Sequence, residues 1–290
     1  MQFDFQRYIQ ERKRNSTSTR KETPRGYAFG RDTKVSGTLG RAKPVKMALE
    51  ATSNLDAERL REGVLAARQT DAESDAWLHQ MVARAVTVLG MAEAPKLYIT
   101  EQSGDFDAQA LVIDSVASIV LDRALLDILD EDEMLFTIGQ QCGHIHQEHA
   151  LFLTADFAME HVSEEYMRWV VSPARYAIGA WRRHGNVTAD RAGMLACGEM
   201  QVAAKALLKR HGAGSLPTPL DMEIIMEEAE DNPRGSYLAA LVHKAPQVPG
   251  RLLALKAFAD AEIFRRACGR DGGLSMTSVD RQVESIIKIW

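Results

Sequence analysis

Residues 125–149 read LLDILDEDEMLFTIGQQCGHIHQEH. The run opens on apolar residues, crosses the acidic cluster Asp130, Glu131, Asp132 and Glu133, and continues with Leu135, Ile138, Cys142 and Ile145. Spacings of three and four put those apolar positions on one side of an α-helix. Asp130 with Glu133 three residues on is a capping pair, which sets the helix start. Gln140 and His144, four apart, share a face of that helix, and His146, Glu148 and His149 follow it.

Working outward, Lys96–Thr100, residues 110–114 and residues 118–121 are short runs rich in β-formers, with the last two expected to form a hairpin around Asp114 and Ser115. Before them, residues 55–69 and 73–89 carry helical spacing. After Leu121 the whole chain reads as helix, at 153–170, 174–183, 187–210, 219–230, 234–242, 249–268 and 277–288, broken near Gly212, Gly214 and Pro217 and again at Asn232 and Pro233. The fold class is therefore α+β, mainly helical with one small sheet early in the chain.

The chain has 290 residues and a formal net charge of -5, which by itself favours no strongly charged partner. Residues 1–46 hold 12 Lys and Arg against 4 Asp and Glu, leaving 23 basic and 36 acidic residues in 47–290. A basic, extended N-terminal arm thus precedes one acidic domain, because residues 11–46 have too few apolar positions for a helical or strand face. Cys142, Cys197 and Cys268 form no C-x-x-C pair, and there is neither a secretory signal nor an 18-residue apolar run, so a cytoplasmic protein without membrane insertion is expected.

With those elements in order, the 125–149 stretch resembles gluzincin metallopeptidases of the CaaX-prenyl-endopeptidase and HtpX type, above all the single-domain minigluzincins. Their helix carries H-E-x-G-H after a Leu-Leu turn and an acidic cap. Residues 186–193, NVTADRAG, look like the second family motif, E-x-x-A-D-R-A-G, and His243 with Arg251 and Leu252 is similar to a third segment, with spacing about two residues longer. The resemblance covers roughly residues 75–265 and implies a zincin-like (minigluzincin) fold.

In a zincin, two His four apart and a Glu from another helix hold zinc, while the Glu of H-E-x-x-H polarises the bound water. Aligned on the motifs, this chain has Gln140 at the first His, Gln141 at the catalytic Glu, His144 at the second His and Asn186 at the third ligand, with Asp190 retained as the partner that orients a ligand His. Amides are poor zinc donors, and an amide cannot take a proton from water. Zinc is accordingly expected to be absent. The replacements preserve shape, so Gln140, Gln141, His144 and Asn186 are expected to satisfy one another by hydrogen bonds.

His146, Glu148 and His149 read as a solvated helix end, although Glu148 is placed i+4 from His144 and would pair with it in a substitute site. Cys142 and His144 diverge on the helix and cannot form a nucleophile pair, so Cys142 reads as core. Glu160, His161, Glu164 and Glu165 read as a solvated face. His243 is an active-site neighbour in the family or an ordinary loop histidine, and both readings stay open. Val279, Val283, Ile286, Ile287 and Trp290 dock the C-terminal helix on the body, with a homo-oligomer interface as the other use.

The function expected from these losses is that of a non-enzyme, a pseudopeptidase that binds a protein or peptide segment as a regulator or scaffold. The family binds its substrate along a sheet edge, and Asp107, Ala108, Gln109, Ala110, Leu111 and Val112 match that edge strand by order in the chain. A divergent metal-dependent peptidase or hydrolase using His144 with unrecognised ligands is the alternative. Nucleic-acid binding through the basic arm comes third, since the arm has few aromatics beyond Tyr27 and Phe29 and the acidic body repels phosphate.

Overall fold

The computed structural model describes residues 26–40, 42–43, 45–46, 67–101, 108–113, 116–160, 165–211, 225–227, 229, 245 and 247–287. In chain order the elements are α1 (Gly30–Leu39), β1 (Ala67–Gln69), α2 (Ala76–Leu89), β2 (Lys96–Thr100), β3 (Ala108–Ile113), β4 (Val116–Asp122), α3 (Arg123–Ile128), α4 (Glu131–His146), α5 (Ala150–Glu160), α6 (Glu165–Cys197), α7 (Met200–His211), α8 (Val248–Ala259), α9 (Glu262–Ala267) and α10 (Met276–Ile287). The α+β class with one small, early sheet is what forms. No helix among the described residues is long and apolar enough to cross a membrane.

The sheet has four strands in the order β1-β2-β4-β3. β1 runs antiparallel to β2, β2 parallel to β4, and β3 antiparallel to β4 with Ile113 opposite Val116, as the expected hairpin requires. β1 was not foreseen: Ala67–Gln69 was read as the end of a helix, but it pairs with Tyr98, Ile99 and Thr100. Residues 47–66, the rest of that expected helix, lie outside the described residues.

β3 is an edge strand. Its Val112 N–H is donated to Thr154 Oγ1 of α5 at 2.8 Å and so does not face β4. Antiparallel alternation then turns the N–H groups of Ala108 and Ala110 to the same outer side. Below the sheet, Ala108, Ala110, Val112, Ile119 and Leu121 join the main core, while Leu111 and Val120 pack with Phe157 of α5 on the opposite face.

Two helices differ from the sequence reading. The expected pair 174–183 and 187–210 is one helix, α6, as far as Cys197, with Pro173 tolerated inside it, and the break falls instead at Gly198, whose φ is +81°. The expected 249–268 helix is divided by Asp260 and Ala261. The C-terminal helix docks on the body as foreseen: Val279 and Val283 are fully buried.

The expected extended arm is corrected where it is described. Residues 1–25 lie outside the described residues, but Gly30–Leu39 is a helix and Tyr27 and Phe29 are buried in the core. Two aromatic rings among polar residues are enough to anchor a segment, each burial being worth about 1.5–3 kcal/mol. Arg191 sits between Phe29 and Phe258, with its guanidinium carbon 5.4 and 5.3 Å from the two ring centroids. Its Nη1 donates to the Tyr27 carbonyl and lies 2.8 Å from Asp280 of α10. That one cation ties the N-terminal segment, α6 and the C-terminal helix together.

Candidate functional site

α4 begins as the sequence indicated. The Asp130 side chain accepts from the Glu133 N–H at 2.9 Å and the Glu133 carboxylate accepts from the Asp130 N–H at 3.0 Å, a complete capping box. Lys209 of α7 also reaches Glu133, at 2.6 Å. Every residue of α4 from Glu133 to His146 is buried, polar ones included.

The helix lies close against α6 because glycines and alanines line the contact. A Cβ on Gly139 would stand 2.6 Å from Ala196 Cβ, one on Gly143 2.4 Å from Ala192 Cβ, and one on Gly193 2.6 Å from the Phe136 carbonyl oxygen. The register is antiparallel, since higher numbers on α4 meet lower numbers on α6. One turn beyond Gly143 and Ala189 it carries half-buried Asn186 to the end of α4.

Gln140 is fully committed. Its Nε2 donates to Asp190 Oδ1 at 2.5 Å and its Oε1 accepts from Arg210. Arg251 holds the same Asp190 through two bonds, Nε to Oδ2 at 2.8 Å and Nη2 to Oδ1 at 2.6 Å. Arg251 Nη1 also lies 3.4 Å from His211 Nε2. The network expected among Gln140, Gln141, His144 and Asn186 is therefore not the one that forms: no hydrogen bond joins any two of them. The reason for Gln140 is charge, because the Asp190 carboxylate and the Arg210 guanidinium are stronger partners for an amide than another amide is.

His144 instead meets His149, Nδ1 to Nδ1 at 3.1 Å. His149 Nε2 is 3.1 Å from Asp32 Oδ2, and both residues are 1% exposed. Asp32, on α1, also accepts from Trp181 Nε1 at 2.7 Å and Thr188 Oγ1 at 2.6 Å. Burial alone would raise its carboxyl, but the donors from His149, Thr188 and Trp181 outweigh burial and leave it below the usual range. Burial, then the field of His149 and after it those of Arg182, Arg251 and Arg210, hold His144 well below the usual histidine range.

The helix end is thus not solvated, as the sequence reading had it. His149 packs edge-on to Trp181 with centroids 4.9 Å apart, and His146 Nδ1 is 2.8 Å from the Tyr27 hydroxyl. Glu148 makes no substitute pair with His144: its φ of 65° takes it off the helix and outward, and this turn is what swings His149 back to His144. Cys142 is fully buried, with its thiol pushed up to about 12 by burial, in keeping with a core role. His161 and Glu164, and likewise His243 and Asp107, lie outside the described residues.

Three groups at the aligned positions keep their hydrogen-bonding capacity. Gln141 is 4% exposed and its amide makes no hydrogen bond to another described residue, though its terminal atoms are not sealed from solvent. Asn186 is half-buried, and neither its side chain nor the second ring nitrogen of His144, Nε2, makes a hydrogen bond to another described residue. As a zinc site the arrangement does not fit. The Gln140 amide is spent on Asp190 and Arg210, Asp190 is spent on Arg251, and no group of three or more His, Cys, Asp or Glu among the described residues could hold a metal.

Sequence reasoning missed Asp32, His149, Arg191 and Arg210 as parts of this neighbourhood. The pair Tyr27 and Phe29 in a polar stretch was the available signal for Asp32. Nothing in the spacing announced Arg210.

The model of peptidase family M48 matches residues 72–259. The chain belongs to peptidase family M48. This M48 chain is also 24% identical over 164 residues to a protein of Arabidopsis thaliana, plastoglobule-localized metallopeptidase 48, chloroplastic. The alignment covers 55% of this chain and 47% of the relative, so the chain spans about half the length of the curated relative it matches. No solved structure matches. Membership corrects the expectation of a non-enzyme: the family is one of peptidases, and the relative is named a metallopeptidase. That expectation rested on the residue types at positions 140, 141 and 186, which describe one route of catalysis and not whether the protein is an enzyme.

Proposed function

We propose that this M48 protein captures a segment of polypeptide against α4 and the outer edge of β3. The observation that carries the reading is the Gln141 amide, 4% exposed and without a hydrogen bond to any described residue, next to the His144 Nε2, which likewise has none among them. A peptide group, with one donor and one acceptor, is the natural complement of such an amide. The outward N–H groups of Ala108 and Ala110 offer backbone pairing to the same segment. Thr154 already holds Val112, which confines strand addition to the Ala108–Ala110 end of the expected 107–112 edge. The partner is a protein or peptide segment, the compartment is the cytoplasm, and zinc does not take part at Gln140, His144 and Asn186.

The test is retention of fluorescent peptides from a random library by the full chain. Binding should fall at least tenfold in Gln141→Ala; no retention, or retention indifferent to this substitution, overturns the reading. Family membership favours a second reading, a divergent hydrolase acting through His144 with ligands still unassigned. Mass spectrometry of the retained peptides tests it: cleavage products that vanish in His144→Ala support it, and intact peptides count against it.

A further inference from the structure

The matched family region begins at residue 72, and Asp32 lies 40 positions before it. Even so, Asp32 is 1% exposed and stands at the head of a chain of contacts that ends at His144. We propose that Asp32 is a positioning residue for the site, fixing through His149 the tautomer in which His144 keeps an unprotonated Nε2.

The donor and acceptor sequence follows from the atoms. Thr188 Oγ1 accepts from the Phe29 N–H at 3.1 Å, so its own hydrogen goes to Asp32. Trp181 can only donate. The Asp32 carboxylate, an acceptor only, therefore takes three donors, the third being His149 Nε2–H. In the neutral ring that leaves His149 Nδ1 as a lone pair, which must accept from His144 Nδ1–H. The remaining nitrogen of His144, Nε2, then carries no proton.

An imidazolium at His149 would reverse the last link, donating from Nδ1 and leaving the proton of His144 on Nε2. Two observations favour the neutral pair. Asp32 is already satisfied by two neutral donors, so it has no need of a cationic third. Arg182, Arg251 and Arg210 bear on His144 after burial and His149 itself, and they oppose another buried positive charge at the pair. The device is the carboxylate-to-imidazole coupling that sets ring orientation at many functional histidines, here lengthened by one ring and supplied from outside the family region.

That the Nε2 lone pair accepts an N–H of bound polypeptide rests on the function proposed above, whereas the tautomer itself does not. The experiment is long-range proton–nitrogen correlation on the full chain labelled with nitrogen-15 histidine, at neutral pH and without peptide, with His144 assigned by omission in His144→Gln. The expected result is a pyrrole-type Nδ1 and a pyridine-type Nε2, the opposite of the form a free histidine side chain favours in water. Asp32→Ala should return His144 wholly or partly to the Nε2–H form. His149→Phe, which keeps a ring against Trp181, should do the same if Asp32→Ala fails to fold. A protonated Nε2 in the wild type overturns the proposal, as does a His144 spectrum unchanged in the variants. Peptide retention measured on the same samples separates the two claims: the expected tautomer without retention sinks the capture reading alone.

Discussion

Phe29→Ala tests whether the N-terminal segment is part of the protein's core. The ring is 0% exposed, stacks on His184 with centroids 5.9 Å apart, and carries the Arg191 guanidinium on its face. Truncating a buried Phe costs about 3–5 kcal/mol. Loss of one of the two aromatic faces around a desolvated guanidinium adds about 1–2 kcal/mol. Removing a solvated arm residue would cost less than about 0.5 kcal/mol. Urea denaturation followed by far-UV circular dichroism reads the difference, and thermal unfolding should show a midpoint lower by roughly 6–20 °C. If α1 detaches before the rest unfolds, the global midpoint understates the effect, and hydrogen exchange of the amides in Gly30–Leu39 reports it instead. A loss below about 1 kcal/mol by both readouts would refute the reasoning that places this segment in the core.

Other substitutions probe the site's scaffold. Gly193→Ala pushes a methyl group against the Phe136 backbone carbonyl, 2.6 Å away, and should destabilise by about 1–3 kcal/mol in a chemical melt; no loss would mean that α4 and α6 are not in such close contact. Arg251→Met leaves Asp190, 1% exposed, with the Gln140 amide as its remaining donor on that side and should cost about 3–5 kcal/mol, whereas adding Asp190→Asn should recover part of it. The Arg68 guanidinium, first among several hydrogen bonds, lowers the Asp75 carboxyl to about 2. Because the folded value lies below the unfolded one, the stabilisation it brings is complete above the unfolded 3.8 and fades as pH falls through about 2. Carbon-detected titration should therefore place the Asp75 midpoint near 2 in the wild type and nearer 3.8 in Arg68→Gln; equal midpoints would remove Arg68 as the cause.

Much of the scaffold could be read from local rules. The acidic cap at Asp130 and Glu133, the three-and-four spacing after it and the run of β-formers in β4 are short-range signals, and each formed where expected. The misreadings have a common origin in contacts between distant residues. β1 is a strand because β2 offers it an edge, not because three residues with the composition of Ala67, Arg68 and Gln69 prefer one. Tyr27 and Phe29 were visible as aromatics, but only their partners Thr188, Arg191 and His146 make the segment helical core. At the site Gln140 and Asp190 meet, while the hydrogen bonds expected among Gln140, Gln141, His144 and Asn186 do not form. Which of several acceptors Gln140 would choose was decided by Arg210 and Arg251, which lie 70 and 111 positions away in the chain. The step from those residue types to the absence of an enzyme was one that residue types alone do not license.

Hydrogen exchange of the full chain, with and without saturating random-library peptide, bears most directly on the claim that α4 and the outer edge of β3 capture polypeptide. The account predicts slowed exchange at the amides of Ala108 and Ala110, a smaller change at Val112, already held by Thr154, and slowing at the side-chain amide of Gln141. Unchanged exchange at Ala108, Ala110 and Gln141 under conditions where peptide is retained, with protection appearing on another face, would contradict it.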